Sequence, residues 1–139
     1  MAVQSYSFQI KTKGFSDVQD ITPKVQELVS NSKCENGITT VFVPGSTAGI
    51  TTIEFESGVV DDLKKTIERI APQGIHYAHD ARWGDGNGFA HVRAALIGPS
   101  LTIPLIRGEL QLGTWQQIVL IDFDNRPRAR EVNIQIIGE

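Results

Sequence analysis

The stretch QQIVLIDFDNRPRAREVNIQIIG, residues 116–138, decides the fold class of this 139-residue chain. Both of its ends are rich in Ile and Val, and the second end alternates apolar with polar residues, as β-strands do. The segment DNRPR between them consists of turn-forming and charged residues. The last third of the chain is therefore predicted to be β-structure.

The rest of the chain mixes strands with helices and shows no regular alternation of the two. Further strands are predicted at 3–12, 37–43, 49–56, 100–106 and within 109–124. Helices are predicted at 20–32, with Thr22 as the N-cap, and at 59–71, and a third at 88–100, where alanines and a Gly-Pro stop favour a helix over a strand. Residues 71–87 are predicted to be a long polar loop. The pattern predicts an α+β fold, a mainly antiparallel β-sheet sandwich with two to three helices.

Length, composition and charge restrict the class of protein. A chain of 139 residues without a repeat or linker is predicted to be one domain, residues 1–139. The net charge of −3 argues against nucleic-acid and membrane-surface partners, which both require a basic face. One cysteine, no signal-peptide pattern and no long apolar run predict a cytoplasmic protein.

All three histidines lie in HYAHDARWGDGNGFAH, residues 76–91. If a helix begins near Asn87, backbone N–H groups around Gly88 lie at its positive end, where anions bind readily. Imidazoles with a carboxylate also suit Zn²⁺ or a similar divalent ion. The alternative from residue types alone is a capped loop of turn-forming Asp, Gly and Asn.

A second unusual stretch is VPGSTAGITTIE, residues 43–54. The hydroxyls of Ser46 and Thr47, between two strands, can hydrogen-bond a phosphate together with local N–H groups. Glu54 is a carboxylate at the end of an apolar strand, where exposure is the simplest explanation. In IDFDNRPRARE, three arginines within five residues are either solvated turn charges or a phosphate clamp.

These stretches, with DGNGFAHVRAALIGPSLTIP and LGTWQQIVLIDFDNRPR, resemble the YjbQ-like family along nearly the whole chain. The family motifs are HTTAGITxNE and DGNGHAH. The matching positions are Thr47, Glu54, His79, Asp85, Asn87 and His91. The chain departs from the motifs at Gly45 and Phe89, where histidines are common, and at Ile53, where Asn is common.

The resemblance implies a compact α+β protein that assembles as a homotrimer and acts as a secondary thiamine-phosphate synthase. That reaction joins a pyrimidine diphosphate to a thiazole phosphate and releases pyrophosphate. It implies an acid–base or metal-ligand role for His91 and an orienting or co-ligand role for Asp85, with Glu54 as a further catalytic candidate. A divalent ion, Zn²⁺ or Mg²⁺, would be held by His79, His91 and Asp85.

The phosphorylated ligand itself has its own set of candidate residues. They are Ser46, Thr47, Asn87, Gly88 and Arg93, with the arginines at 126, 128 and 130. Two other functions stay open. One is a non-catalytic protein that binds a small phosphorylated metabolite or a metal, and the other is a structural trimer whose polar loop makes subunit contacts.

Overall fold

A computed structural model describes all 139 residues and has an α+β architecture with eight strands and four helices. The strands are β1 (Ala2–Thr12), β2 (Asp17–Asp20), β3 (Asn36–Phe42), β4 (Ala48–Ile53), β5 (Ser100–Ile106), β6 (Glu109–Leu110), β7 (Gln117–Asp122) and β8 (Arg128–Gly138). The helices are α1 (Thr22–Ser32), α2 (Ser57–Ile70), α3 (Ala78–Trp83) and α4 (Gly88–Ile97). The predicted fold class is confirmed.

The strands form two antiparallel sheets. The larger has the order β1-β8-β3-β5-β6, and the smaller has the order β2-β7-β4. Although β7 and β8 follow each other along the chain, they belong to different sheets. The turn at 123–127 therefore carries the chain from one sheet to the other.

The smaller sheet is covered on both faces, which explains the unbroken apolar run in β7. Ile118 and Leu120 belong to the core shared with the larger sheet. Val119 and Ile121 belong to a second core that includes Phe89 of α4. Because side chains alternate along a strand, these two pairs lie on opposite faces of β7, and α4 is held against the smaller sheet.

The helix predictions need two corrections. The chain has four helices instead of two or three, because α3 lies inside the segment predicted to be a loop. The N-cap of α1 is Ile21 and not Thr22, whose hydroxyl instead accepts the N–H of Ile118 at 2.7 Å. Tertiary contact with β7 therefore displaces the helix start by one residue. None of the four helices is long and apolar enough to cross a bilayer.

Candidate ligand site

A network of buried charges lies where β7 ends and β8 begins. Asp122 is fully buried, and its two carboxylate oxygens accept from Nε and Nη2 of Arg130 at 2.7 and 2.9 Å. The Thr12 hydroxyl donates to the same carboxylate at 2.5 Å. A bidentate pair with additional donors offsets part of the cost of removing both charges from water.

Asp124 is also fully buried and occupies the centre of the network. Its Oδ2 accepts from the Thr47 hydroxyl at 3.0 Å and from Arg128 Nε at 2.9 Å, and its Oδ1 accepts from Asn87 Nδ2 at 3.2 Å. Burial alone raises the pKa of Asp124, but the hydrogen bonds it accepts, first that of the Asn125 N–H, outweigh burial and lower it to about 2. The carboxylate is therefore ionised at neutral pH.

A cavity of about 320 Å³ opens beside this network, and we call it the arginine pocket. Its five lining residues are all polar: Asp85, Asn87, Asn125, Arg126 and Arg128. The side chain of Arg126 is exposed and makes no hydrogen bond or ion pair within the protein. Asn87 is buried, and its Oδ1 has no hydrogen-bond partner. The pocket thus presents a guanidinium that has no partner in the protein, while the unsatisfied Asn87 oxygen is buried in its wall.

A second cavity of about 260 Å³ lies further along α4, and we call it the His91 pocket. It is lined by Gly45, Ser46, Ala48, His91, Ala94, Ala95 and Pro99. Asn87 and His91 are four residues apart, which places them on one face of α4 about 6 Å apart along the helix axis. The two pockets therefore follow one another along that helix face, and Ser46 and His91 share the second.

The structure brings His79 and His91 together. Their ring centroids are 4.4 Å apart, and His79 Nδ1 lies 3.3 Å from Asp80 Oδ1. Burial lowers the pKa of His91, and the neighbouring His79 lowers it further, against the opposing effect of Asp124, Asp85 and Asp80. His91 is therefore a neutral imidazole at neutral pH, able to accept a proton.

The start of α4 is already capped from within the chain. The Gly88 N–H, proposed from the sequence as an anion donor, donates to Asp80 Oδ1 at 2.8 Å. Thr47 is likewise engaged, since its hydroxyl donates to Asp124 and accepts from Arg130 Nη2 at 2.7 Å. These two groups support the site from beneath instead of facing a ligand.

Arg93, predicted to bind the ligand, is instead a structural residue. It is 3% exposed, and its Nε donates to the Ala71 carbonyl at 2.9 Å. Its Nη1 donates to the Ser16 hydroxyl at 3.1 Å, and its Nη2 pairs with Glu68. Each guanidinium nitrogen has a protein partner, so Arg93 ties α4 to α2 and does not reach either pocket.

Glu54 is separated from the other predicted residues. It is exposed just after β4, whereas Thr47 directly precedes that strand. A six-residue strand spans about 20 Å, so Glu54 lies at the opposite end of β4 from Thr47 within one subunit. No group of three or more His, Cys, Asp or Glu side chains is arranged to hold a metal ion.

Sequence reasoning missed the aspartates that organise the site. Asp122 and Asp124 follow an apolar run that is buried on both faces, so they enter the interior with it. The available signal was the proximity of two such aspartates to Arg128 and Arg130. Those arginines are two residues apart and therefore face the same side of β8.

Comparison with known proteins finds relatives from one family that match most of the chain. The family model described as "UPF0047 protein YjbQ-like" matches residues 6–139. A UPF0047 protein of Methanocaldococcus jannaschii is 37% identical over 135 residues, which cover 96% of this chain and 94% of that protein. A UPF0047 protein of Mycobacterium tuberculosis is 38% identical over 103 residues, covering 74% of this chain and 77% of that protein.

Two solved structures share the fold closely. A YbjQ-like protein of unknown function from Sulfolobus solfataricus superposes with a TM-score of 0.90 at 31% identity, covering 99% of this chain and 100% of that chain. A hypothetical protein from Aeropyrum pernix superposes with a TM-score of 0.91 at 35% identity, covering 98% and 99%. The fold is thus common to relatives of similar length.

Proposed function

This chain belongs to the UPF0047 family of YjbQ-like proteins, and on that premise we propose that it binds a small phosphorylated metabolite in the arginine pocket. One observation carries the proposal: the Arg126 guanidinium is unpaired in a cavity whose lining is entirely polar. Guanidinium groups match phosphate oxygens in geometry and charge, and Arg128 on the same wall is fixed by Asp124.

The His91 pocket would hold the remainder of the ligand. Its alanine and proline walls offer apolar contact, and its Ser46 hydroxyl is exposed. His91 is one helical turn from Asn87, and its lowered pKa keeps the imidazole neutral and able to take a proton from the ligand. Chemistry on the ligand would therefore occur between the two pockets.

The reaction that the family resemblance implies is that of a secondary thiamine-phosphate synthase. Joining a pyrimidine diphosphate to a thiazole phosphate forms a bond to the thiazole nitrogen and releases pyrophosphate. In this chain Arg126 and Arg128 would stabilise the departing pyrophosphate, because preorganised donors act where negative charge develops. Arg93 has no part in this proposal, since its donors are already engaged.

The donor geometry gives less support to Zn²⁺ or Mg²⁺ in the site. His79 and His91 are adjacent, but Asp85 does not join them in a set of three ligands. No step is therefore assigned to a metal. Metal analysis of protein purified without chelator, wild type beside His91→Ala, tests this: about one ion per chain, lost in the variant, would establish a metal-assisted site.

A non-catalytic binding function is the second candidate, and the loss of two histidines of the family motifs favours it. Phe89 is 4% exposed and packs in the second core beneath the Arg93 guanidinium, 5.0 Å from its ring centroid. Gly45 has no side chain at all. Two imidazoles of the family motifs are thus replaced, one of them by a core residue. A protein without these groups would bind the ligand but would not convert it.

Assembly as a homotrimer is part of the same proposal. An exposed apolar row crosses the outer face of the larger sheet, where Val3 pairs with Ile137 and Ile137 pairs with Ile38. Such a row favours contact with another copy. Light scattering in solution tests the assembly, and a monomer would remove it from the proposal.

Calorimetric titration with inorganic phosphate tests the binding site. Arg126→Ala is expected to weaken phosphate binding about tenfold, since one charge-assisted contact is lost. Arg69→Ala, an exposed arginine of α2 outside the pocket, is the matched control and should bind as wild type. Equal affinity in Arg126→Ala and wild type would reject the arginine pocket as the phosphate site.

Pyrophosphate release from the two substrates then separates enzyme from binder. An enzyme is expected to release pyrophosphate in the wild type and to lose release, with binding retained, in His91→Ala. Binding of both substrates without any release would establish the non-catalytic function.

A further inference from the structure

Gly45 leaves an opening over a buried arginine. A Cβ atom built at this position would lie 3.0 Å from Nη1 of Arg130, and no other heavy atom lies within 4 Å of it. That distance is shorter than an ordinary van der Waals contact, so any side chain at position 45 would press on the guanidinium. Glycine keeps the space above Nη1 open.

The guanidinium beneath this opening is rigid but has one free nitrogen. Nε and Nη2 of Arg130 are engaged by Asp122 and Thr47. Nη1 donates to no acceptor in the protein and is not sealed inside it, since the side chain retains 10% exposure. A charged donor is thus held in a fixed position at the surface.

The loop above Arg130 supplies further free donors. The backbone N–H groups of Gly45, Ser46 and Thr47 make no hydrogen bond to any acceptor in the protein. Successive backbone N–H groups can bind an anion when a turn makes them converge, and these three are free to do so. The Ser46 hydroxyl is exposed and also makes no hydrogen bond.

We infer that the loop 45–47 and Arg130 Nη1 form a second oxyanion subsite, for a phosphoryl or similar tetrahedral group. This deepens the proposed function and rests on it, because the subsite adjoins the arginine pocket. Nη2 of Arg128 and Nη2 of Arg130 lie 2.7 and 3.8 Å from the same Asp124 oxygen, so the two guanidinium groups approach within about 6.5 Å of each other. This short separation brings the two subsites within reach of one ligand that carries two anionic groups.

Binding of an anion at this subsite would depend on the positions of the N–H donors more than on the net charge around them. Asp122 and Asp124 balance Arg128 and Arg130, so an incoming anion meets a network that is nearly neutral. What favours the anion is the set of N–H groups with no partner, which bind an oxyanion more strongly than they bind water when held in place. A single methyl group added at position 45 should therefore weaken anion binding at this subsite.

Amide NMR of the ¹⁵N-labelled protein, titrated with inorganic phosphate, tests the inference. Two groups of signals should shift in the wild type, those of 45–47 and those of Asn125, Arg126 and Arg128, called the 125–128 signals below. In Gly45→Ala the shifts of 45–47 should require about tenfold more phosphate, whereas those of 125–128 should be unchanged. Position 45 lacks a positive φ, so alanine fits its backbone.

Gly113→Ala is the matched control, since a Cβ there meets its nearest neighbour at an ordinary 3.6 Å, and it should titrate as wild type. If phosphate shifts only 125–128, the second subsite is wrong and the arginine pocket stands. If phosphate shifts only 45–47, the second subsite stands and the arginine pocket fails. Equal titration of 45–47 in Gly45→Ala and wild type would overturn the inference.

Inorganic pyrophosphate gives an independent readout. Wild type should bind pyrophosphate more tightly than phosphate, because two adjacent subsites act on one ligand. Gly45→Ala should lose about tenfold of that advantage, and an undiminished advantage would contradict a role for Arg130.

Discussion

The buried network and the arginine pocket are built from the same residue types in one short segment, but they differ in pairing. Inside, Asp122 and Asp124 are fully buried, and every oxygen of both carboxylates accepts at least one hydrogen bond. In the pocket, the Arg126 side chain is exposed and has no partner in the protein. The two regions therefore differ in whether their charged groups are already paired, and this difference is the reason for proposing a ligand at Arg126.

Arg93 gives the same lesson from the other side of α4. It is a buried arginine close to the histidines in sequence, yet its nitrogens are all engaged by Ala71, Ser16 and Glu68. The sequence analysis placed it among the candidate residues for a phosphorylated ligand. Position on the helix decides otherwise, because residues 91 and 93 face different sides of α4.

Asp122→Ala should have the largest effect on this comparison. It removes the partner of Arg130 and leaves a buried guanidinium uncompensated, so the free energy of unfolding should fall by roughly 3–5 kcal/mol. Urea denaturation measures the loss. Asp61→Ala, which breaks an exposed ion pair with Lys65, is the control and should leave the free energy of unfolding nearly unchanged. If Asp122→Ala lowered the free energy of unfolding no more than Asp61→Ala does, the network would not stabilise the fold.

The second largest effect is expected from acid, which should lower the free energy of unfolding by protonating Asp124. The folded pKa of Asp124, about 2, lies below the unfolded value of about 3.9, so the unfolded state binds the proton more readily. The stabilisation is fully present above the unfolded pKa and is lost as pH falls toward 2. Wild type should lose about 2 kcal/mol more than Asp124→Asn on acidification from pH 6 to pH 2.

Urea denaturation at several pH values measures this difference. The comparison uses the slope of stability against pH and not absolute stability, because Asp124→Asn also weakens hydrogen bonds at every pH. Parallel pH profiles for the two proteins would show that Asp124 is not the titrating group.

The smallest of the expected effects is a change in the pKa of His91 when its neighbour His79 is replaced. His79→Gln removes the neighbouring imidazole, the second cause of the lowered pKa of His91, so that pKa should rise. Burial, the larger of the two causes that lower the pKa of His91, persists in the variant. NMR titration of the His91 ring measures the change.

His76→Gln is the control for this titration, because His76 is exposed and outside the pair. It should leave the pKa of His91 unchanged. A fall in that pKa in His79→Gln would mean that the two rings are coupled by a hydrogen bond and not by charge repulsion.

Much of the fold was predictable because local signals agree with the tertiary structure. The β-branched run of β7 and the alternation in β8 correctly indicated strands, and Asn87 followed by alanines indicated α4. Less was predictable for short elements. The helix α3 has six residues and no buried side chain, so its sequence carries no apolar periodicity, and it was predicted as a loop.

The candidate site was predictable only in part. The two unusual stretches do meet, since Ser46 and His91 line one pocket and Asn87 contacts the network that holds Thr47. Glu54 lies apart from them within one subunit, because β4 separates the two ends of the motif and the sequence does not show that separation. The motif match alone could not show which of the matching polar groups are buried beneath the site and which face a ligand.

By itself, the sequence determined the fold class, the strands and helices of ordinary length, and the family, because each depends on local composition and order. Only the tertiary structure decided that β7 and β8 enter different sheets and that Asp122 and Asp124 are buried between them. Only it decided that Arg93 is engaged while Arg126 is free. The physical reason is that hydrogen-bond satisfaction depends on which distant groups meet, and local sequence does not specify those partners.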